Sequence, residues 1–285
     1  MIKIIKYFFE ALIIYLFFFF IKLIGISISR ILFSFIFKKI GPIIRSKNII
    51  KKNLSIFSNK ISEEKKEDIE LNMWSNYGKT FAEYMFLNKF RKESSHITIE
   101  EKKILDEISR NKKPVIFVSG HFANFELMSM EITKNKINLA TIYRPLNNFF
   151  LNPFMEYLRK KYICNNQIKK GRSGIKECIK YIEKGCSIAL MIDQRLSESD
   201  RVKFFSKDAH TTSLPAQLSL KYNLDIVPIF IEREHGDSFK IKIYKSIDTS
   251  NFKNKSELTL KLNQILENML LKNPNQWIWT HDRWK

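Results

Sequence analysis

The chain has 285 residues, of which 45% are apolar and 27% charged. It can therefore bury a substantial core, which excludes a peptide-sized module and an intrinsically disordered protein. Lys and Arg number 49 and Asp and Glu 29, so the formal net charge is +20. This charge favours an anionic partner, such as a phospholipid surface, a nucleic acid, an acidic carrier protein or a phosphorylated substrate.

Half of the net charge lies at the N-terminus. The first 60 residues carry eleven basic side chains against one acidic side chain, Glu10, and they include an uninterrupted apolar run at residues 11–21. A bilayer-spanning helix needs about 20 apolar residues, which is more than this run provides. We therefore expect residues 1–45 to be a basic membrane anchor that either spans the bilayer or is partly embedded in it.

The remainder, residues 46–285, alternates between two kinds of apolar pattern. Steps of three and four residues predict a helix near residues 69–85, and Thr98 with Glu101 predicts a capping box that opens another. Short apolar runs predict buried strands near residues 115–119, 139–143, 187–193 and 226–231. This alternation predicts one α/β domain with a mostly parallel sheet flanked by helices.

The three cysteines, Cys164, Cys178 and Cys186, are odd in number and have no C-x-x-C spacing. A disulfide framework or a zinc site is therefore not expected. We interpret them as free thiols in a reducing compartment.

A candidate catalytic segment follows the first predicted strand, at the position where active sites of parallel sheets gather. It runs from Gly120 to Glu126 and contains His121. If Glu126 folds back to the imidazole, it fixes the ring tautomer and makes His121 a general base for an alcohol. By itself the pair is equally consistent with an ordinary hydrogen-bonded histidine.

Two further segments suit an anionic or amphipathic ligand. Residues 169–174 place Lys170 and Arg172 at a predicted helix N-terminus, where an anion such as phosphate is favoured, although spare surface charge explains them as well. Residues 274–285 hold three of the four tryptophans. Tryptophan is enriched at membrane interfaces and beside amphipathic substrates.

The sequence GHFANFEL at residues 120–127 resembles the G-H-F-G-N-W-E motif of the bacterial lipid A late acyltransferases, the lauroyl and myristoyl transferases of lipopolysaccharide assembly. The other family-like motifs follow in the same chain order: YRPL (143–146), Asp193-Gln194, residues 204–212, VPIFIER (227–233) and the terminal QWIWTHDRW. Three departures are Ala123 in place of glycine, Phe125 in place of tryptophan, and residues 195–198, which replace a glycine-containing substrate loop.

The resemblance implies transfer of an acyl chain from acyl carrier protein, a thioester donor, to a hydroxyl of an acyl chain on a lipid A precursor. No cofactor is expected apart from this donor substrate. The implied catalytic residues are His121 as general base and Glu126 as its orienting partner. The implied substrate-binding residues are Arg144, Lys170, Arg172, Asp193 and Gln194, with Arg144 and backbone N–H groups as candidates for the oxyanion.

The expected partners are acyl carrier protein, the lipid A precursor and the membrane, without nucleic acid. We expect the protein at the inner membrane with its catalytic domain facing the cytoplasm, because Lys and Arg follow the apolar run. One alternative is an acyltransferase for glycerol-phosphate or another glycolipid. Another is a basic, membrane-tethered binding protein, although no nucleic-acid-binding motif is recognisable.

Overall fold

The computed structural model describes residues 2–44, 47–58, 60–195 and 199–285. The predicted domain boundary between residues 45 and 46 lies outside the described residues, as do residues 196–198 of the predicted substrate loop.

The helices are α1 (Ile2–Ile24), α2 (Ile26–Ile44), α3 (Lys47–Phe57), α4 (Glu63–Glu83), α5 (Leu87–Lys92), α6 (Lys102–Asn111), α7 (Glu126–Lys134), α8 (Asn152–Tyr162), α9 (Arg172–Glu183), α10 (Leu214–Tyr222) and α11 (Lys255–Lys272). The strands are β1 (Ile97–Glu100), β2 (Ile116–Ser119), β3 (Leu139–Tyr143), β4 (Asn166–Lys169), β5 (Ser187–Met191), β6 (Asp200–Phe204), β7 (Lys207–Thr211), β8 (Ile226–Arg233) and β9 (Phe239–Ile243).

Seven strands form one sheet in the order β1-β9-β8-β2-β5-β3-β4. The five strands from β8 to β4 are parallel, whereas β9 runs antiparallel to β8 and β1 runs parallel to β9. Strands β6 and β7 form a separate antiparallel hairpin. The predicted α/β fold with a mostly parallel sheet flanked by helices is confirmed.

One predicted cap is wrong. Helix α6 exists, but Thr98 lies in β1, so it cannot begin the helix. Glu101 occupies the N-cap position instead, with a left-handed backbone (φ 57°) and without a side-chain cap.

The N-terminal segment consists of two helices joined at Gly25, whose φ of +79° favours glycine. Helix α2 lies directly on α4 because Gly78 of α4 has no side chain. A Cβ at position 78 would lie only 2.0 Å from the carbonyl oxygen of Phe33 in α2. Helix α1 contacts the domain through Phe18, which stacks on Phe81 with ring centroids 5.1 Å apart. By length and composition, α1 could also cross a membrane.

Candidate active site

The candidate site is set by two neighbouring central strands. Strands β2 and β5 are parallel, and their last residues, Ser119 and Met191, are paired. His121 and Asp193 each lie two residues beyond this pair, so both side chains reach the same point past the carboxyl edge of the sheet. The His121 ring Nδ1 is 2.7 Å from Asp193 Oδ1, and the His121 backbone N–H donates to Oδ2 at 2.6 Å.

Asp193 is completely buried and remains ionised. Trp277 Nε1 donates to its Oδ2 at 2.8 Å. Burial alone would raise the pKa of Asp193, but the charge and hydrogen bonds of His121 and the charge of Arg283 outweigh it and lower the pKa to about 2. The carboxylate therefore accepts a hydrogen bond from a protonated Nδ1, which leaves Nε2 of His121 available as a base.

The second ring nitrogen of His121 faces a cavity. Gln194 places its amide nitrogen 3.2 Å from Nε2, and the ring of Phe125 packs edge-on against the imidazole with centroids 4.6 Å apart. His121 is therefore held on its Nδ1 side by a carboxylate and on one face by an aromatic ring, with Nε2 toward the cavity that it lines.

The predicted orienting partner of His121 is corrected by this geometry. Glu126 is the first residue of α7, and its Oε1 accepts hydrogen bonds from Arg159 Nε at 2.7 Å and from the Tyr84 hydroxyl at 2.6 Å. The Glu126 carboxylate is therefore bonded to Arg159 and Tyr84, and Asp193 contacts the His121 imidazole instead. Burial and the neighbouring charge of Glu126 raise the pKa of Tyr84, so its hydroxyl remains a donor.

The role expected for Asp193 changes as well. The family resemblance places it among the substrate-binding residues, but a side chain with no exposed surface cannot contact a substrate directly. Its contact in the site is with His121. Gln194, the other residue of this pair, does line the cavity.

The loop between β2 and α7 is tightly constrained. Gly120 has no room for a side chain, since a Cβ there would be 2.8 Å from the Phe122 ring and 3.2 Å from Asp193 Oδ2. Ala123 has a φ of +43°, in the left-handed region that glycine tolerates better. The Ala123 N–H donates to the Gln276 carbonyl at 3.1 Å, which ties the loop to the C-terminal segment.

The cavity beside His121 has a volume of about 590 Å³ and joins two kinds of surface. Its apolar lining includes Phe37 of α2, Phe81 of α4 and Ile278. Its basic lining includes Arg144 and Lys170, each of which directly follows a strand, β3 or β4. Burial and the nearby charge of Arg144 lower the pKa of Lys170, as expected for two cations that face one another.

The remaining predicted residue, Arg172, lies elsewhere. It begins α9, is exposed, and falls outside the described lining of the cavity. The structure instead brings Arg159 and Tyr84 into the lining. The sequence contains no motif that links Arg159 or Tyr84 to His121. A buried Glu126 needs a cationic partner, and this need is the only signal that could have indicated an arginine.

The three cysteines are free and buried. Burial raises the pKa of the Cys164 and Cys178 thiols to about 11 in each case, which leaves little thiolate at neutral pH. Within the part of the chain that the structure describes, no group of three or more His, Cys, Asp or Glu side chains is placed to hold a metal ion.

Comparisons with known proteins identify a family. The profile described as "Bacterial lipid A biosynthesis acyltransferase" matches residues 2–285. No curated protein matches the chain. Among solved structures, the 1-acyl-sn-glycerophosphate (LPA) acyltransferase PlsC from Thermotoga maritima is similar with a TM-score of 0.43 and 14% sequence identity, covering 89% of this chain and 100% of that one.

Proposed function

The chain belongs to the bacterial lipid A biosynthesis acyltransferase family, and on that premise we propose that it transfers an acyl chain from an acyl carrier protein thioester to a hydroxyl of a lipid A precursor. One observation carries the proposal: His121, held by a buried carboxylate, lines a cavity that has both an apolar and a basic wall. The apolar wall suits an acyl chain, and the basic wall suits the phosphates of donor or acceptor.

The proposed reaction uses His121 as a general base. Nε2 takes the proton of the acceptor hydroxyl while its oxygen attacks the thioester carbonyl and forms a tetrahedral intermediate. The C–S bond then breaks, and the departing sulfur receives the proton from Nε2, which leaves a new ester and a free carrier thiol. Asp193 stabilises the imidazolium between the two steps, and Arg144 is the candidate side-chain donor to the oxyanion.

Glu126 has a different part in this proposal. Its ion pair with Arg159 fixes the start of α7, and both side chains line the same cavity as the basic residues Arg144 and Lys170. We assign Glu126 and Arg159 to the shape and charge of the acceptor site. Arg172, exposed on α9, is assigned to the surface that meets an acidic carrier protein.

The same proposal places the protein at the inner membrane, with its catalytic domain on the cytoplasmic side. Helix α1 exposes large apolar side chains along its length, including Phe8, Ile13, Phe19 and Leu23. Its opposite side contacts the domain: Asn148 donates to the Tyr7 carbonyl at 2.8 Å. We therefore favour a helix embedded along the membrane surface over one that crosses the bilayer.

The first test of the function is His121→Ala. The variant should lose transfer by a factor between about 10² and 10⁴, because the substitution removes the general base of the proposed reaction. Membranes containing the full chain are incubated with acyl carrier protein thioesters and a Kdo-bearing tetra-acyl precursor, and products are identified by mass. Lysophosphatidic acid and coenzyme A thioesters serve as the rival acceptor and donor.

The matched control is His235→Ala, because His235 is exposed in the turn after β8. It should transfer at the wild-type rate. Full activity of the His121 variant would contradict the general-base assignment, whereas product from lysophosphatidic acid alone would replace the proposed acceptor.

The membrane arrangement is tested with single added cysteines, since the three native thiols are buried. Lys3→Cys lies at the start of α1, and Lys245→Cys lies on the exposed surface of the domain. For an embedded helix, a membrane-impermeant thiol reagent should label neither site in intact spheroplasts and both sites after lysis. Labelling of the residue 3 variant alone before lysis would show that α1 spans the bilayer.

A further inference from the structure

A buried charged cluster joins the N-terminal helices to the candidate active site. It consists of Arg30, Glu83 and Arg233, which come from α2, the end of α4 and the end of β8. Glu83 has no exposed surface. It accepts a hydrogen bond from Arg30 Nε at 2.7 Å and two from the Arg233 guanidinium, one through Nη1 and one through Nη2 at 3.1 Å.

One contact leads from the cluster into the catalytic loop. Asn124 Nδ2 donates to the second carboxylate oxygen, Glu83 Oε2, at 2.9 Å. Asn124 lies between His121 and Glu126 and is almost fully buried. The Asn124 side chain therefore bonds the ionised Glu83 carboxylate, and such a hydrogen bond is stronger than one between neutral groups.

A second set of hydrogen bonds connects the cluster to Ala123, the residue before Asn124. Arg233 donates to Asn76 Oδ1 at 3.2 Å and to Thr80 Oγ1 at 3.4 Å. Asn76 Nδ2 and Thr80 Oγ1 in turn each donate to the Ala123 carbonyl at 3.3 Å. Because Asn76 Oδ1 and Thr80 Oγ1 accept hydrogen bonds from Arg233, the Asn76 N–H and the Thr80 O–H are directed to the Ala123 carbonyl as donors.

These contacts converge on the strained turn. An alanine at a φ of +43° has a left-handed backbone conformation, which is unfavourable for a residue with a side chain, so the surroundings must hold it. We propose that Arg30, Glu83 and Arg233 are positioning residues, which keep the turn at Ala123 in the conformation that sets His121 against Asp193. The inference rests on the proposed function for its kinetic readout and makes α2 part of the catalytic framework.

Two mild variants test the idea without leaving a buried charge unpaired. Arg30→Met removes one donor to Glu83 but keeps the Glu83–Arg233 pair. Thr80→Val removes one donor to the Ala123 carbonyl with almost no change in volume. The matched control is Thr259→Val, a buried threonine of α11 whose hydroxyl bonds only the Lys255 carbonyl of its own helix in the described structure.

Two readouts are taken on the full chain in vesicles of phosphatidylethanolamine and phosphatidylglycerol. We expect kcat to fall about 10-fold for Thr80→Val and up to about 100-fold for Arg30→Met, with KM within about twofold, because the base is misplaced rather than removed. Amide hydrogen exchange of the peptide over residues 119–126 should accelerate about fivefold in both variants. Arg30→Lys, which keeps the charge, should restore part of both losses.

The two readouts separate the inference from the function on which it rests. If the wild-type chain transfers no acyl group, the proposed function fails, and hydrogen exchange alone decides the positioning role. Unchanged hydrogen exchange at residues 119–126 in both variants overturns the positioning role. A loss of kcat in Thr80→Val and Arg30→Met that is no larger than the loss in Thr259→Val also overturns it.

Discussion

Asp193→Asn is expected to lower kcat by about 10⁴, although the side chain keeps its size and most of its contacts. The amide nitrogen of asparagine donates, so it favours the tautomer in which Nδ1 is bare and Nε2 carries the proton. The ring then cannot accept the proton of the acceptor hydroxyl. Because the pKa of Asp193 is lowered to about 2, the wild-type side chain is a carboxylate near neutral pH and can only accept hydrogen bonds.

The comparison variants are Asp208→Asn and Glu126→Gln. Asp208 is an exposed residue of the β6–β7 hairpin, and its variant should match the wild type. Glu126→Gln should leave the hydrogen bond between His121 and Asp193 in place and should lower kcat much less than Asp193→Asn, because Glu126 pairs with Arg159. An Asp193→Asn enzyme within tenfold of wild-type kcat, together with a loss of about 10⁴ for Glu126→Gln, would return the orienting role to Glu126.

Glu83→Leu is expected to destabilise the fold by about 3–5 kcal/mol, the largest stability effect that we expect from one substitution. The change leaves the guanidinium groups of Arg30 and Arg233 buried beside one another without the carboxylate that both contact. The measurement is the urea midpoint followed by tryptophan fluorescence, read against the wild type in the same detergent.

The same helix provides the control. Glu70 of α4 is also buried, but its Oε1 has no hydrogen-bond partner among the described residues. Glu70→Leu should therefore leave the midpoint unchanged or raise it. Equal midpoints for the two leucine variants would show that the charged cluster contributes nothing particular to stability.

The sequence predicts the centre of the sheet better than its edges. Strands β2, β3, β5 and β8 were predicted because a strand covered on both faces consists of a nearly continuous apolar run. Strand β4 (NQIK) escaped prediction because an edge strand with one covered face needs little apolar sequence. Strands β6 and β7 form a polar hairpin and lack such a run as well.

The candidate site shows the same division. His121 could be found from the sequence because it follows a recognisable strand within a family-like motif. Its partner could not be chosen by distance along the chain, since Glu126 is five residues away and Asp193 is 72 residues away. The pairing of β2 with β5 decides the choice, and no local pattern encodes which strands become neighbours. The cluster of Arg30, Glu83 and Arg233 depends on three distant segments and escaped prediction for that reason.

The pairing of Ser119 with Met191 also determines where the chain tolerates an insertion. Two residues separate each strand end from His121 or Asp193, so an insertion there moves one side chain away from the other and turns its direction over. Beyond Asp193 this constraint ends. The departure from the family pattern at residues 195–198 lies beyond both two-residue spacings. A change in chain length after Gln194 therefore leaves both spacings, and the hydrogen bond between His121 and Asp193, as they are.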